Sequence, residues 1–541
     1  MNAEIYTKKG QYLPGEPIAL CLECDVDADQ VDIELYSLGH KVSEFSFPIT
    51  GALTDIELPS IETTFAGYGV KAALKKGEEQ RANVFTAFDV AAHGKVVRYG
   101  FLSDFSENDA DDRDVSAMAK YHVNTVQFYD WSYRPDMLVA PADKYSDLMG
   151  KQNCLQTVKA KIAQCHEYGM RAVGYGAVYA ASESYRCDHP DQSLFARQDN
   201  PLCFIGKFYI MNISKGCPWH DHIIAEYKHA ASLGFDGFHM DTYGFPKTAL
   251  DADGQMVYLE EHFNELIEDT KEALQAVAPE PCLIFNNVGG WPVEITKFAP
   301  QECVYIEVWP PNDRYSHLKQ LILSAKSTGK PVVLAAYPVP FHKDTKQRAL
   351  ESELLCALAI ALNGASQLFI GEHNAVITQG YYADYTRLDH GQIMKIRAYQ
   401  DFFVQYEELL FDDTLKDVSF THIGWDNVEY ACDADYSVSG EAGKLWLNIR
   451  ENKHIKLIGM VNLNGNDDLW NEGKEKPKDL YNVTFSVLTH KPVSRVCFAS
   501  PDINGGLAEA LEFSTQVSEK GELTAVTIPH IIHGGLLWME V

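Results

Sequence analysis

Two acidic residues stand where this chain could use them for chemistry. Asp241 closes the apolar run Gly237-Phe238-His239-Met240-Asp241, just before Thr242-Tyr243-Gly244 breaks it. Glu307 closes a second run, Cys303-Val304-Tyr305-Ile306-Glu307, ahead of Val308-Trp309. A carboxylate at the end of a short strand is held at the rim of a sheet, where loops begin. Two that face each other can divide the cleavage of a glycosidic bond. One acts ionised as nucleophile and the other protonated as acid, about 5 to 5.5 Å apart in a retaining enzyme. A lone strand-end carboxylate more often caps a helix or pairs with a loop cation, so the pair is the more specific signal.

Other strand ends add groups suited to holding a sugar: Asp104, Tyr129-Asp130-Trp131, Tyr179, Asn286-Asn287, Tyr337 and Glu372-His373. Amides and carboxylates hold hydroxyls, and aromatic faces carry the apolar C–H face of a pyranose. The substrate-contact candidates are Tyr129, Asp130, Trp131, His239, Asn287 and Trp309. Alternation along the strand places His239 on the face of Asp241, one layer deeper, where it either hydrogen-bonds the carboxylate or packs as a satisfied core histidine. Burial of Glu307 among Tyr305, Val308 and Trp309 is expected to raise its pKa, as an acid role requires. No Gly-x-Ser-x-Gly elbow and no His/Cys cluster suited to a catalytic metal are present. Asp251-Ala252-Asp253-Gly254 lacks a full calcium-ligand series, and Asp109 to Asp114 reads as an acidic helix start. No metal or cofactor is expected.

The elements that must position these residues fall into three regions. Residues 1–94 hold short alternating segments divided by turns, which predicts an immunoglobulin-like β-sandwich. Residues 95–411 alternate strands with helices. Eight strand candidates run Val97 to Leu102, Asn124 to Tyr129, Arg171 to Tyr175, Gly237 to Asp241, Cys282 to Asn286, Cys303 to Glu307, Pro331 to Ala336 and Ala365 to Ile370. The clearest helix, Pro218 to Leu233, has proline in its first turn and Gly234 beyond its end. Eight such units predict a (β/α)8 TIM barrel, with function at the C-terminal ends of its strands. A doubly wound open sheet is the second architecture, but no phosphate-binding glycine loop follows the first strand. Residues 412–541 return to alternating strands, predicting a C-terminal Greek-key β-sandwich. The fold class is thus multi-domain.

A formal charge of -30, with 46% apolar and 23% charged residues, describes an ordinary globular protein that would repel nucleic acid and anionic membranes. A neutral ligand fits best, although an acidic surface also serves solubility alone. No apolar run reaches the roughly 18 residues of a membrane span, and Met1 to Lys9 has no signal-peptide core. Twelve cysteines lack framework spacing. Cys21 and Cys24, within one strand, have no second pair with which to bind zinc. A reducing cytoplasm is expected, and nothing sets an oligomeric state.

Gln127-Phe128-Tyr129-Asp130-Trp131, the segment Gly234 to Thr242, and Tyr305-Ile306-Glu307-Val308-Trp309 together resemble glycoside hydrolase family 66, which holds dextranases and cycloisomaltooligosaccharide glucanotransferases. Tyr12-Leu13-Pro14-Gly15-Glu16 and the segment Asn462 to Trp470 extend the resemblance over nearly the whole chain. It implies retaining attack on α-1,6-linked glucan, with Asp241 as nucleophile and Glu307 as acid/base. Tyr129 and Asp130 match positions lining the subsite on the non-reducing side of the scissile bond. The cyclising transferases carry a binding module late in the barrel, whereas about 27 residues separate Pro338 from Ala365 here. The resemblance therefore implies a dextranase-like, endo-acting hydrolase of dextran or isomaltooligosaccharides. Transglycosylation or cyclisation is the alternative, and a non-catalytic glycan-binding protein is the alternative of another class.

Overall fold

The computed structural model describes residues 3–541 of a multi-domain, β-rich chain. At the N-terminal end, strands Ala3–Thr7, Ile18–Cys24 and Leu53–Leu58 form one antiparallel sheet. Strands His40–Pro48, Gln30–Ser37, Phe65–Lys76 and Glu79–Ala91 form a second. Every other residue of a strand points inward, so Leu20 and Leu22 from the first sheet meet Val31, Ile33, Val70 and Phe88 from the second in one core.

The central region is a parallel ladder of eight positions in chain order. Its strands are Tyr99–Leu102, Thr125–Phe128, Arg171–Ala177, Gly237–Asp241, Cys282–Val288, Cys303–Glu307, Val332–Ala335 and an eighth in two pieces, Ser366–Gln367 and Ile370–Gly371. Ser366 pairs with Val333 of the seventh strand, and Gly371 pairs with Phe101 of the first. The ladder therefore closes on itself. Helices such as Leu155–Glu167, Pro218–Ala231, Phe263–Leu274, Tyr315–Ala325 and Lys346–Leu362 lie between successive strands. Both faces of these strands are buried. Tyr99, Phe101, Val173, Ile284, Tyr305 and Val333 fill the interior, while Val126, Phe238, Leu283, Phe285, Val304 and Leu334 pack outward against the helices. This two-sided burial is why the strands read as continuous apolar runs.

The helix over Pro218–Ala231 starts with its proline in the first turn, and Gly234 beyond its end has φ +113°, close to expectation. Residues 416–540 form two further sheets. One orders Lys416–Asp417, Leu445–Glu451, Ile455–Asn462, Gly534–Glu540, Arg495–Ala499 and Glu509–Ala510. The other orders Tyr430–Cys432, Leu480–Thr489, Gly521–Ile531 and Phe513–Ser518. Their inner faces share Leu447, Ile458, Phe485, Val526, Ile528 and Leu537. The strand Phe513–Ser518 was not legible in the sequence because most of its side chains face solvent.

The three regions are locked by buried ions. Arg98, beside the first ladder strand, donates to Asp89 at 2.8 Å and to Glu407 at 3.1 Å, joining the N-terminal sheet to the end of the helical region. His533 contacts Glu351 at 2.6 Å and Asp502 at 3.0 Å, tying the C-terminal sheets to a ladder helix. Breaking such a pair strands a charge in low dielectric.

Candidate active site

Asp241 and Glu307 both end interior positions of the ladder. Alternation carries them from His239 and from Tyr305, whose side chains pack inside. Asn286, level with Asp241 on the strand between them, donates one amide nitrogen to both carboxylates. It lies 2.7 Å from Asp241 Oδ1 and 3.2 Å from Glu307 Oε2. Those two oxygens are therefore no more than 5.9 Å apart, the sum of the two bonds. Each carboxylate also accepts from a tyrosine: Tyr175 donates to Asp241 Oδ2 at 2.6 Å, and Tyr337 donates to Glu307 Oε1 at 2.6 Å. Tyr337 and Tyr305 lie within hydrogen-bond reach of Tyr382, at 3.5 and 3.1 Å, so Glu307 heads a short chain of phenols.

Withdrawal from water, together with the charge of Glu307, pushes the Asp241 carboxyl up to about 7, against the hydrogen bonds from Tyr175 and Asn286. The upward push expected for the acid thus falls on Asp241.

The pair lies on the floor of a cleft of roughly 680 Å³. Tyr129 lines it, stacked on Tyr382 at 4.5 Å. Asp130 lines it as well, its carboxyl pushed up to about 7 by burial and then by the nearby Asp147 charge. Trp309 stands at the mouth, 38% exposed and edge-on to Tyr337 at 5.8 Å. Gly380 lets the opposite loop approach, since a Cβ there would lie 3.4 Å from Glu307 Oε1 and 3.2 Å from the Trp309 ring.

Three expected contacts are placed differently. Trp131 is fully buried, donates to the Tyr175 carbonyl at 3.1 Å and packs on Phe235 outside the ladder. The cause is Asp130, whose φ of +53° breaks the alternation, so Asp130 faces the cleft and Trp131 turns away. Asn287 points outward and is consumed by the Tyr305 carbonyl and the Thr296 hydroxyl; its neighbour Asn286 has the inward parity. His239 lies below Asp241, but its hydrogen bond is with Tyr99 at 3.0 Å rather than with the carboxylate, and burial pushes its pKa down to about 3. It is a neutral packing group at the cleft floor. Replacing Trp131 with alanine should therefore cost about 3 to 5 kcal/mol of stability through the cavity it leaves. Denaturation midpoints should fall, while KM of the folded fraction stays near the wild-type value.

Tyr175 was missed as a site residue, and Asn286 and Tyr337 were noted only as strand ends. The signal was available as parity: Tyr175 is two residues past the interior Val173, and Asn286 two past Ile284. The two acidic stretches are also accounted for. Asp251 accepts the backbone N–H groups of Asp253 and Gln255 within a hairpin turn. Asp109 and Asp114 flank the buried Lys161 ammonium at 3.2 and 3.4 Å, where its charge opposes a second cation.

A closed parallel ladder whose rim holds two amide-bridged carboxylates in an aromatic cleft fits a glycosidase-type enzyme. The model of Glycosyl hydrolase family 66 matches residues 7–534, and the chain belongs to that family. Two proteins of Niallia circulans, each a cycloisomaltooligosaccharide glucanotransferase, are 21% identical to it over 706 and 700 positions. They cover 99% of this chain and 71% and 72% of their own lengths. The solved structure of a Paenibacillus sp. cycloisomaltooligosaccharide glucanotransferase, complexed with cycloisomaltoheptaose, superposes with a TM-score of 0.90 at 19% identity over 99% of both chains. An Anoxybacillus α-amylase reaches a TM-score of 0.51 at 8% identity, over 83% of this chain and 99% of that one. At these identities the structural likeness bears on the fold alone.

Proposed function

We propose that the chain is a retaining enzyme of α-1,6-linked glucan, working by double displacement. The observation that carries this reading is the Asn286 bridge, which holds Asp241 and Glu307 within 5.9 Å. Inverting enzymes need room for a water between their carboxyl groups, roughly 6.5 to 9.5 Å. Asp241 attacks the anomeric carbon while Glu307 gives its proton to the departing glycosidic oxygen. Glu307, now ionised, takes a proton from the acceptor hydroxyl as that oxygen displaces Asp241. Tyr129, Asp130 and Trp309 contact the sugars.

The closed ladder with its interleaved helices is read as a (β/α)8 catalytic barrel over residues 95–411. An immunoglobulin-like sandwich at 1–94 and a Greek-key sandwich at 412–541 flank it. A reducing cytoplasm, with imported isomaltooligosaccharides as substrate, is proposed on the support of twelve free cysteines.

The acceptor decides the activity. We favour transfer to sugar hydroxyls, because the relatives at 21% identity are glucanotransferases. Endo-acting, dextranase-like hydrolysis is the second reading, supported by the short stretch between Pro338 and Ala365. Mass analysis of products from dextran and from isomaltotriose separates them. Rings or oligosaccharides longer than the donor are the expected result. Shorter linear reducing sugars alone would shift the assignment to hydrolysis, and tight binding without turnover would leave only a glycan-binding protein.

A further inference from the structure

A three-residue loop, Ile205 to Lys207, joins Cys203–Phe204 to Phe208–Ile210, with Phe204 paired to Phe208. The Lys207 N–H donates to the Phe204 carbonyl at 3.1 Å, so Ile205 and Gly206 form the turn. Their φ angles are +44° and +70°, the left-handed pattern of a type I′ turn. That turn suits Asn-Gly; a β-branched residue at positive φ is an outlier held only where the surroundings require it. Burial does not require it here, since Ile205 is 57% exposed.

The tip nevertheless lines the cleft, with Leu148 and Met149 from the loop after the second ladder strand. It is anchored on both sides. Phe204 stacks on Tyr243 at 4.4 Å, two residues beyond Asp241. The Lys207 ammonium donates to the Leu148 carbonyl at 3.3 Å. The anchors hold Ile205 on the side of Asp130 and Asp147, where the donor sugar lies if Glu307 faces the leaving group.

We infer that the 203–210 hairpin is a donor-side length gauge, with Ile205 packing on the C–H face of a glucosyl unit beyond the reacting one. The inference rests on the proposed reading of the cleft as an α-1,6-glucan site. It explains why a strained, exposed isoleucine occupies a position where asparagine or glycine would make the same turn without strain. Leu148 and Met149 would complete an apolar wall for that unit, leaving Asp130 to hold hydroxyls nearer the bond.

The test compares I205G and I205N with the wild type on isomaltooligosaccharides from the trimer to the heptamer. Both variants relieve the turn, so melting temperatures should stay level or rise. The kcat/KM for the heptamer should fall about three- to tenfold relative to the trimer, the scale of withdrawing one apolar side chain from the sugar face. A length profile that superimposes on the wild type while stability holds would overturn the inference. Lower melting temperatures in both variants would refute the strained turn on which it stands. Wild-type protein that cleaves no α-1,6-glucan would remove the functional reading itself, a result distinct from an unchanged profile.

Discussion

Replacing Asp241 with alanine is expected to lower kcat/KM on α-1,6-glucan by roughly 10⁴-fold or more, the scale of losing a covalent nucleophile. The loss alone would not prove the role, because Asp241 also carries the raised pKa, near 7. Added azide separates nucleophile from acid. In D241A the small anion enters the space left by the carboxylate and attacks from that face, giving a β-glycosyl azide from an α-linked substrate. In E307A, with an activated aryl donor that needs no protonation, Asp241 still forms the glycosyl intermediate. Azide then attacks from the opposite face and gives the α-azide. NMR of the anomeric proton reads the outcome directly. The opposite pairing of products would exchange the two roles. The geometry tolerates that exchange, since each carboxylate accepts from one tyrosine and from the shared amide.

Replacing Asn286 with alanine is expected to cost about 10² to 10³ in kcat, comparable to losing a preorganised donor at an oxyanion. It should also move the pH profile in a defined direction. Asp241 attacks as a carboxylate, so activity in the wild type should rise as pH rises through about 7, where Asp241 gives up its proton. The Asn286 N–H groups favour the ionised form of Asp241. Removing them disfavours ionisation, raises that pKa, and carries the acid limb to higher pH. Asn286→Asp should move the limb the same way, because a third carboxyl adds repulsion. Profiles of kcat/KM for the wild type and both variants decide the matter. A limb that stays in place or moves to lower pH would remove Asn286 from the proton economy of the pair. A lower rate would then reflect misplaced side chains alone.

Much of the scaffold was legible because burial imposes period and composition on the chain. Six of the eight ladder positions are four- to seven-residue apolar runs covered on both faces, and strands buried that way show themselves in sequence. The eighth was legible only as one run. Its pairing is split between Ser366–Gln367 on the seventh strand and Ile370–Gly371 on the first. Closure is a property of partners more than 260 residues apart, and no local window contains it.

The site was legible at its chemical centre and misread one residue away from it. Asp241 and Glu307 end their runs abruptly, and an acid after four apolar residues is visible anywhere. Asn286 and Asn287 are indistinguishable as letters; only the pleat decides which faces the cleft. Trp131 looked like a sugar platform until the left-handed backbone at Asp130 reversed it.

The sequence by itself determined the regional order of the chain, its family likeness and the two carboxylates, because composition and period act within a few residues. Tertiary structure decided which amide bridges those carboxylates, which phenols hold them, and how far Asp241 is withdrawn from water. Those are consequences of parity, closure and shared desolvation, which exist only once distant strands lie side by side.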